Sequence, residues 1–176
     1  MEPLNGAQWI AKILKEYEVT HVFYVLAILR QGLAYMEDYG IERITTHSEA
    51  GAVYMADGYA RISNKPGIAM AQSVGAANLA AALQDPFLAH SPVIAFTGRK
   101  SFLSQYRNSY QEVYHELLYR AVTKYNVNVD TGAQLPVLLR QAFREAVSGA
   151  PRPVHLDLLG LSGDIIENHI IKEDPV

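Results

Sequence analysis

Ile41-Glu42-Arg43-Ile44-Thr45-Thr46, then Ser48-Glu49-Ala50-Gly51-Ala52-Val53-Tyr54-Met55-Ala56-Asp57-Gly58-Tyr59-Ala60-Arg61, then Gly67-Ile68-Ala69-Met70-Ala71 read as strand, helix and strand. Ser48 stands where a helix needs a cap. Gly67 to Ala71 is apolar without alternation, the pattern of a strand buried on both faces. A parallel crossover of this kind is right-handed and lays its helix on the sheet. Upstream, Asn5 caps an apolar set spaced by threes and fours (Ala7, Trp9, Ile10, Ile13, Leu14, Tyr17), which predicts an amphipathic helix. His21 to Val25 is a β-rich run, and residues 28–39 have helical spacing. Downstream, one alanine-rich helix is expected from Ala76 to Ala89, with strands at Pro92 to Thr97, Val122 to Val127 and Pro153 to Leu158. Thr131 is placed to cap a helix from Leu135 to Val147. The expected fold is α/β: a single doubly wound domain with a six-stranded, mainly parallel sheet and helices on both faces. Residues 1–160 form that domain in this reading, and residues 161–176, which lose periodicity, form a C-terminal linker or tail.

The 176 residues are 49% apolar and 19% charged, enough for one core and short for two. Fifteen Lys and Arg against eighteen Asp and Glu give a net charge of -3, so no basic field points to nucleic acid or an anionic membrane. The absence of cysteine excludes disulfide scaffolds, thiolate metal sites and cysteine nucleophiles, and fits a reducing, cytoplasmic compartment. No basic leader precedes the first apolar stretch, and Lys12, Lys15 and Glu16 interrupt it, so neither a signal peptide nor a membrane span is expected.

Several common site patterns are missing. Neither Gly-x-Gly-x-x-Gly after the first strand nor Gly-x4-Gly-Lys-Ser/Thr occurs, so this chain has no familiar phosphate cradle. His47-Ser48-Glu49 is half of a zinc deaminase pattern whose cysteine ligands are lacking. The six histidines fall in no metal-ligand spacing and read as strand-end or surface residues. The one long irregular connection, from Gly98 to about Tyr114, lies at the carboxyl end of a strand, where open α/β sheets place ligands.

Glu49 departs from ordinary core grammar, because it puts a carboxylate in the first turn of a helix at the carboxyl edge of the sheet. Position alone favours the plainer reading, a carboxylate complementing the helix dipole. The surrounding residues change that. His-x-Glu-x-x-Ala-x-x-Met-Ala-Asp-Gly-Tyr-Ala-Arg, at 47–61, resembles the pyrimidine-binding domain of thiamine diphosphate enzymes of the acetolactate synthase and 2-oxo acid decarboxylase group. Lys65-Pro66-Gly67, Gly75-Ala76-Ala77-Asn78-Leu79, Ser91 to Gly98, Tyr110-Gln111-Glu112, Thr123-Lys124 and Pro151 to Asp157 follow in the family's order.

The resemblance implies a role for each matching residue. Glu49 would hydrogen-bond N1' of the cofactor's aminopyrimidine, letting the ring's amino group take the thiazolium C2 proton. That chemistry needs a carboxylate in a dry crevice, where it can share a proton with the ring. Carbon C2 then adds to a 2-oxo acid, carbon dioxide leaves, and the product is an aldehyde or, with a second carbonyl, a carboligation product. Ser73, Gly75 and Asn78 align with the family's pyrimidine-side loop and would bind cofactor, although the loop is one residue shorter here. Tyr110 and Gln111 stand for the family's Phe-Gln pair, which gives Gln111 a catalytic place and Tyr110 a substrate-side one. Asp57, Tyr59 and Arg61 read as helix-end packing and charge pairing.

Two departures matter. Where the family has Gly-x-Pro-Gly after its first strand, this chain has Tyr24-Val25-Leu26-Ala27, so Tyr24, Leu26 and Ala27 would reshape the substrate side. The family's second thiamine domain, which holds Mg2+ and the diphosphate, is not in this sequence. The resemblance therefore implies a partner: a diphosphate-binding domain or subunit, together with self-association to at least a dimer. The alternative is a non-catalytic, degenerate pyrimidine domain that serves as an interaction or regulatory module.

Overall fold

The computed structural model describes residues 3–172. Met1, Glu2 and residues 173–176, on which parts of the leader and linker readings rest, lie outside the described residues. Seventeen short elements follow one another. They are β1 (Leu4–Asn5), α1 (Gly6–Glu16), β2 (His21–Tyr24), α2 (Arg30–Asp38), β3 (Glu42–Thr45), α3 (Glu49–Ser63), β4 (Gly67–Gln72), α4 (Gly75–Ala82), α5 (Gln84–Leu88), β5 (Val93–Arg99), α6 (His115–Tyr119), β6 (Tyr125–Val129), a 3-10 turn (Gly132–Gln134), α7 (Leu135–Val147), β7 (Val154–Leu159), α8 (Asp164–Asn168) and β8 (Ile170–Ile171). Six strands form one all-parallel sheet in the order β3-β2-β4-β5-β7-β6.

Strand alternation divides the core in two. Val22, Tyr24, Ile68, Met70, Ile94 and Phe96 face a layer holding α1, α2, α7 and α8, while Phe23, Ala69, Ala71, Val93 and Ala95 face α3, α4 and α6. Large side chains fill the first layer. Trp9, Ile10, Ile13 and Leu14 of α1 are buried there, each worth about 1.5–3 kcal/mol. Small side chains line the second, so its helices sit close. A Cβ on Gly67 would lie 2.0 Å from the Ala56 carbonyl oxygen, so β4 can start this near α3 only with glycine.

Caps form where the sequence places them. Asn5 Oδ1 accepts the Gln8 N–H and Gln8 Oε1 accepts the Asn5 N–H, a capping box closing the start of α1. Ser48 Oγ accepts the Gly51 N–H at the start of α3. Thr131 caps the 3-10 turn that leads into α7. Three expectations shift. The alanine-rich helix is two helices, because Pro86 has no N–H to give the Ala82 carbonyl, and α4 ends at Ala82. The strand expected at Val122 runs from Tyr125, because Val122 N–H and Thr123 Oγ1 both donate to the Tyr119 carbonyl and close the end of α6. Residues 161–172, read as linker, carry α8 and β8, which pack on α1 and pair antiparallel with β1.

That packing buries Glu167, whose Oε1 accepts the Gly32 N–H at 2.7 Å and so caps α2 from another helix, since Leu29 has no capping side chain. Burial pushes the Glu167 carboxyl up to about 7 from the ordinary 4.5, against the lowering effect of hydrogen bonds from the Gly32 and Gln31 N–H groups. The folded chain thus holds this proton more tightly than the unfolded chain. The resulting stability is complete below the unfolded value of 4.5 and is lost as pH rises through about 7. Thermal unfolding between pH 4.5 and 8 should show a loss of about 3 kcal/mol from this group. Glu167→Gln, which keeps the acceptor and cannot ionise, should remove that part of the pH dependence; an unchanged slope would assign it elsewhere.

Candidate active site

The chain enters the sheet at β2, moves out to β3 and returns to β4 on the other side of β2. The crevice outside the carboxyl ends of β2 and β4 is therefore a topological switch point, where α/β sheets bind ligands. Thr46, the residue after β3, donates from Oγ1 to the Ser48 carbonyl at 2.8 Å, which fixes the turn into α3. Glu49 is the first helical residue after that turn, half-buried beside the crevice. Its Oε2 accepts from Asn78 Nδ2 at 3.1 Å, and its Oε1 carries no hydrogen bond among the described residues. Gly75 lies under the same carboxylate, where a Cβ would meet Glu49 Oε1 at 2.6 Å. Three of the expected cofactor-side residues, Glu49, Gly75 and Asn78, are thus in mutual contact.

Ser73 and Gln111 also meet. The Ser73 hydroxyl donates to the Gln111 carbonyl, Gln72 Nε2 donates to Gln111 Oε1 at 3.1 Å, and Gln111 Nε2 donates to Tyr110 Oη at 3.0 Å. Gln111 holds φ +59° in this bracket of contacts. Ser73 is 1% exposed and gives its proton to Gln111, so it shapes the crevice through that residue. Tyr110 stands out from the surface at 76% exposure.

The turn after β2 differs from expectation in one respect. Tyr24, expected on the substrate side, is buried in the core among the side chains facing α1 and α2, and its carbonyl accepts the Thr46 N–H at 2.8 Å. Leu26 is exposed, and Ala27 and Leu29 hold φ +96° and +44°, conformations that favour glycine. Such backbone persists only where its surroundings impose it. Here the Leu29 N–H is held by the Ser162 carbonyl at 2.9 Å.

A buried polar cluster beneath the crevice was invisible in the sequence. Thr97 Oγ1 donates to Asp157 Oδ1 at 2.7 Å and lies 2.6 Å from His155 Nε2; His115 Nδ1 is 3.0 Å from Asp157 Oδ1, and His115 Nε2 is 2.9 Å from the Ser73 carbonyl. His115 and His155, read as strand-end or surface residues, are both buried. Burial drives His155 down to about 3, so it is neutral, with Tyr119 stacked on it at 3.5 Å. Burial alone would raise Asp157, but hydrogen bonds and charge from His115, with Thr97 donating as well, hold it below its ordinary value. Beside the cluster a cavity of about 280 Å3, lined by Arg99, Gln105, Tyr106 and His115 among others, opens under the long loop and does not take in Glu49. Thr97 is a lone polar side chain in an apolar strand and His155 and Asp157 stand two apart on another, but nothing in their local sequence marks the contact with His115. Asp57 and Arg61 pair through two hydrogen bonds of 2.9 and 2.7 Å on α3, a structural role.

An aminopyrimidine needs one carboxylate at its edge and a close approach for its flat ring. Glu49, with one oxygen held by Asn78, the other unbonded and only a glycine beside it, fits that requirement. Among the described residues no group of three or more His, Asp or Glu is placed to hold a metal ion. Residues 4–118 match the family described as thiamine pyrophosphate enzyme, N-terminal TPP binding domain. The chain is 36% identical over 157 residues to the acetolactate synthase isozyme 2 large subunit of Escherichia coli K12, covering 88% of this chain and 29% of that protein. It is 32% identical over 157 residues to a probable acetolactate synthase large subunit of Methanocaldococcus jannaschii (88% and 27%) and 33% identical over 160 residues to the chloroplastic acetolactate synthase of Arabidopsis thaliana (89% and 24%). The chain spans less than a third of the length of each of these relatives. Matched by the family over residues 4–118 and covered almost throughout by these relatives, the chain belongs to the thiamine pyrophosphate enzymes as their N-terminal TPP binding domain.

Proposed function

We propose that this chain supplies the pyrimidine half of the active site of a thiamine diphosphate enzyme acting on 2-oxo acids. The observation that carries this is the Glu49 carboxylate at the switch-point crevice, resting on Gly75 and held by Asn78. When bound, the cofactor supplies a thiazolium carbon able to attack the carbonyl of a 2-oxo acid and to hold the charge left by loss of carbon dioxide. Glu49 keeps a proton on the pyrimidine ring nitrogen through Oε1, while Asn78 fixes the carboxylate's rotation. Gln111, whose backbone carbonyl accepts from Ser73 and whose side chain accepts from Gln72, would face the reacting carbonyl from the long loop, with Tyr110 outside it. Relatives named acetolactate synthase support decarboxylation followed by carboligation as the reaction class.

The diphosphate and Mg2+ belong to a second domain in this reading, carried by a further part of the same protein or by a separate subunit. The low share of each relative that this chain covers supports that division. A cytoplasmic location goes with the cysteine-free composition. Exposed Tyr54 and Met55 on α3 and the small residues of α4 suit helix-to-helix contact between two copies. A second reading, a non-catalytic pairing module, draws on the glycine-free turn at Ala27 and the exposed Leu26.

Glu49→Gln decides between these readings, because an amide keeps size and hydrogen bonding and loses proton sharing. In the full enzyme, hydrogen–deuterium exchange at C2 of bound thiamine diphosphate should slow by about 100-fold or more. Equal exchange in both forms would remove Glu49 from cofactor activation and favour the module. Sedimentation of this chain at micromolar concentration should show at least a dimer; a monodisperse monomer would contradict the association.

A further inference from the structure

Helix α6 begins at His115, where the long loop from residue 100 returns to the body of the domain. The His115 side chain is fully buried, with one ring nitrogen on the sheet and the other on the crevice. On the crevice side Nε2 faces the Ser73 carbonyl, which can only accept, so Nε2 carries a hydrogen. On the sheet side Nδ1 faces Asp157 Oδ1, which already accepts the Thr97 hydroxyl proton. Asp157 also lies 3.9 Å from Arg99 Nε, and hydrogen bonds from His115 and Thr97 hold its carboxyl below the ordinary value.

We propose that His115 is a positioning residue for the crevice: with one ring nitrogen on the Ser73 carbonyl and the other on the Asp157 carboxylate, it ties the wall formed by Ser73, Gly75 and Gln111 to the sheet. Asp157 lies on β7, deep in the sheet, and cannot drift. His115 carries that rigidity to the Ser73 carbonyl. From Ser73 it runs along two branches. The Ser73 hydroxyl holds the Gln111 carbonyl, so the loop residue is fixed in its left-handed conformation. One step further along the backbone, Gly75 and Asn78 of α4 receive the Glu49 carboxylate. Tyr119 of the same short helix donates to the Ala76 carbonyl at 2.9 Å, a second tie between α6 and the start of α4. Losing His115 would leave the Ser73 carbonyl with the Ala76 N–H and Asp157 with the Thr97 hydroxyl, removing the one contact that joins the two, and the wall would loosen.

The inference rests on the crevice being the cofactor site, and its tests use this chain without cofactor, so they stand apart from the role of Glu49. In His115→Phe the amides of Ala76, Ala77 and Glu112, which donate to the Ser73, Val74 and Ser109 carbonyls, should exchange about tenfold faster or more, with those of α1 unchanged. His115→Gln, which keeps one donor, should recover part of the protection and carries the exchange test if the phenylalanine variant does not fold. Unchanged exchange at Ala76 and Glu112 in either folded variant overturns the proposal.

Discussion

The close approach of α3 to the sheet and to α4 governs what this domain can do. Gly67 lets β4 begin against the Ala56 carbonyl, and the alanines of β4 and β5 keep the layer beneath α3 and α4 thin. Gly75 then leaves room for a carboxylate where any side chain would collide. Shape, more than charge, puts Glu49 in place. The helix terminus adds a modest stabilisation of its own, typically under about 1 kcal/mol at a partly exposed site.

Below this sits a different kind of constraint. Thr97, His115, His155 and Asp157 are buried together, and a partly satisfied polar cluster at this depth would cost more than an apolar one. Their hydrogen bonds account for one another almost completely, which specifies a single arrangement for the base of the long loop. The loop itself has an exposed, aromatic outer surface, with Phe102, Tyr106, Tyr110 and Tyr114 turned outward. A rigid base under an open apolar rim suits a crevice closed by another domain.

Much of the frame was legible in the residues. Asn5 and Ser48 announced their helices, because capping is local chemistry that spacing reveals. The unalternating strands announced a sheet covered on both faces. Glu49, Gly75 and Asn78 were legible as a group only through the resemblance, since they lie apart in sequence and meet by tertiary contact. Long-range partners stayed hidden. His115 gives no local sign of Asp157 or Ser73, Glu167 gives none of Gly32, and Tyr24 reads alike whether its ring points to the core or the crevice. The tail misled because α8 and β8 are too short for periodicity to register, and they are held by α1 and β1 at the other end of the chain.

The central claim is that this chain holds the pyrimidine end of the cofactor and leaves the diphosphate to other residues. Calorimetric titration of the isolated chain with magnesium thiamine diphosphate tests it most directly. The account predicts binding weaker than about 1 μM, because a carboxylate, an amide and a glycine offer the charged end nothing. Binding at that strength or tighter by this chain alone would contradict it and reveal a diphosphate site within these residues.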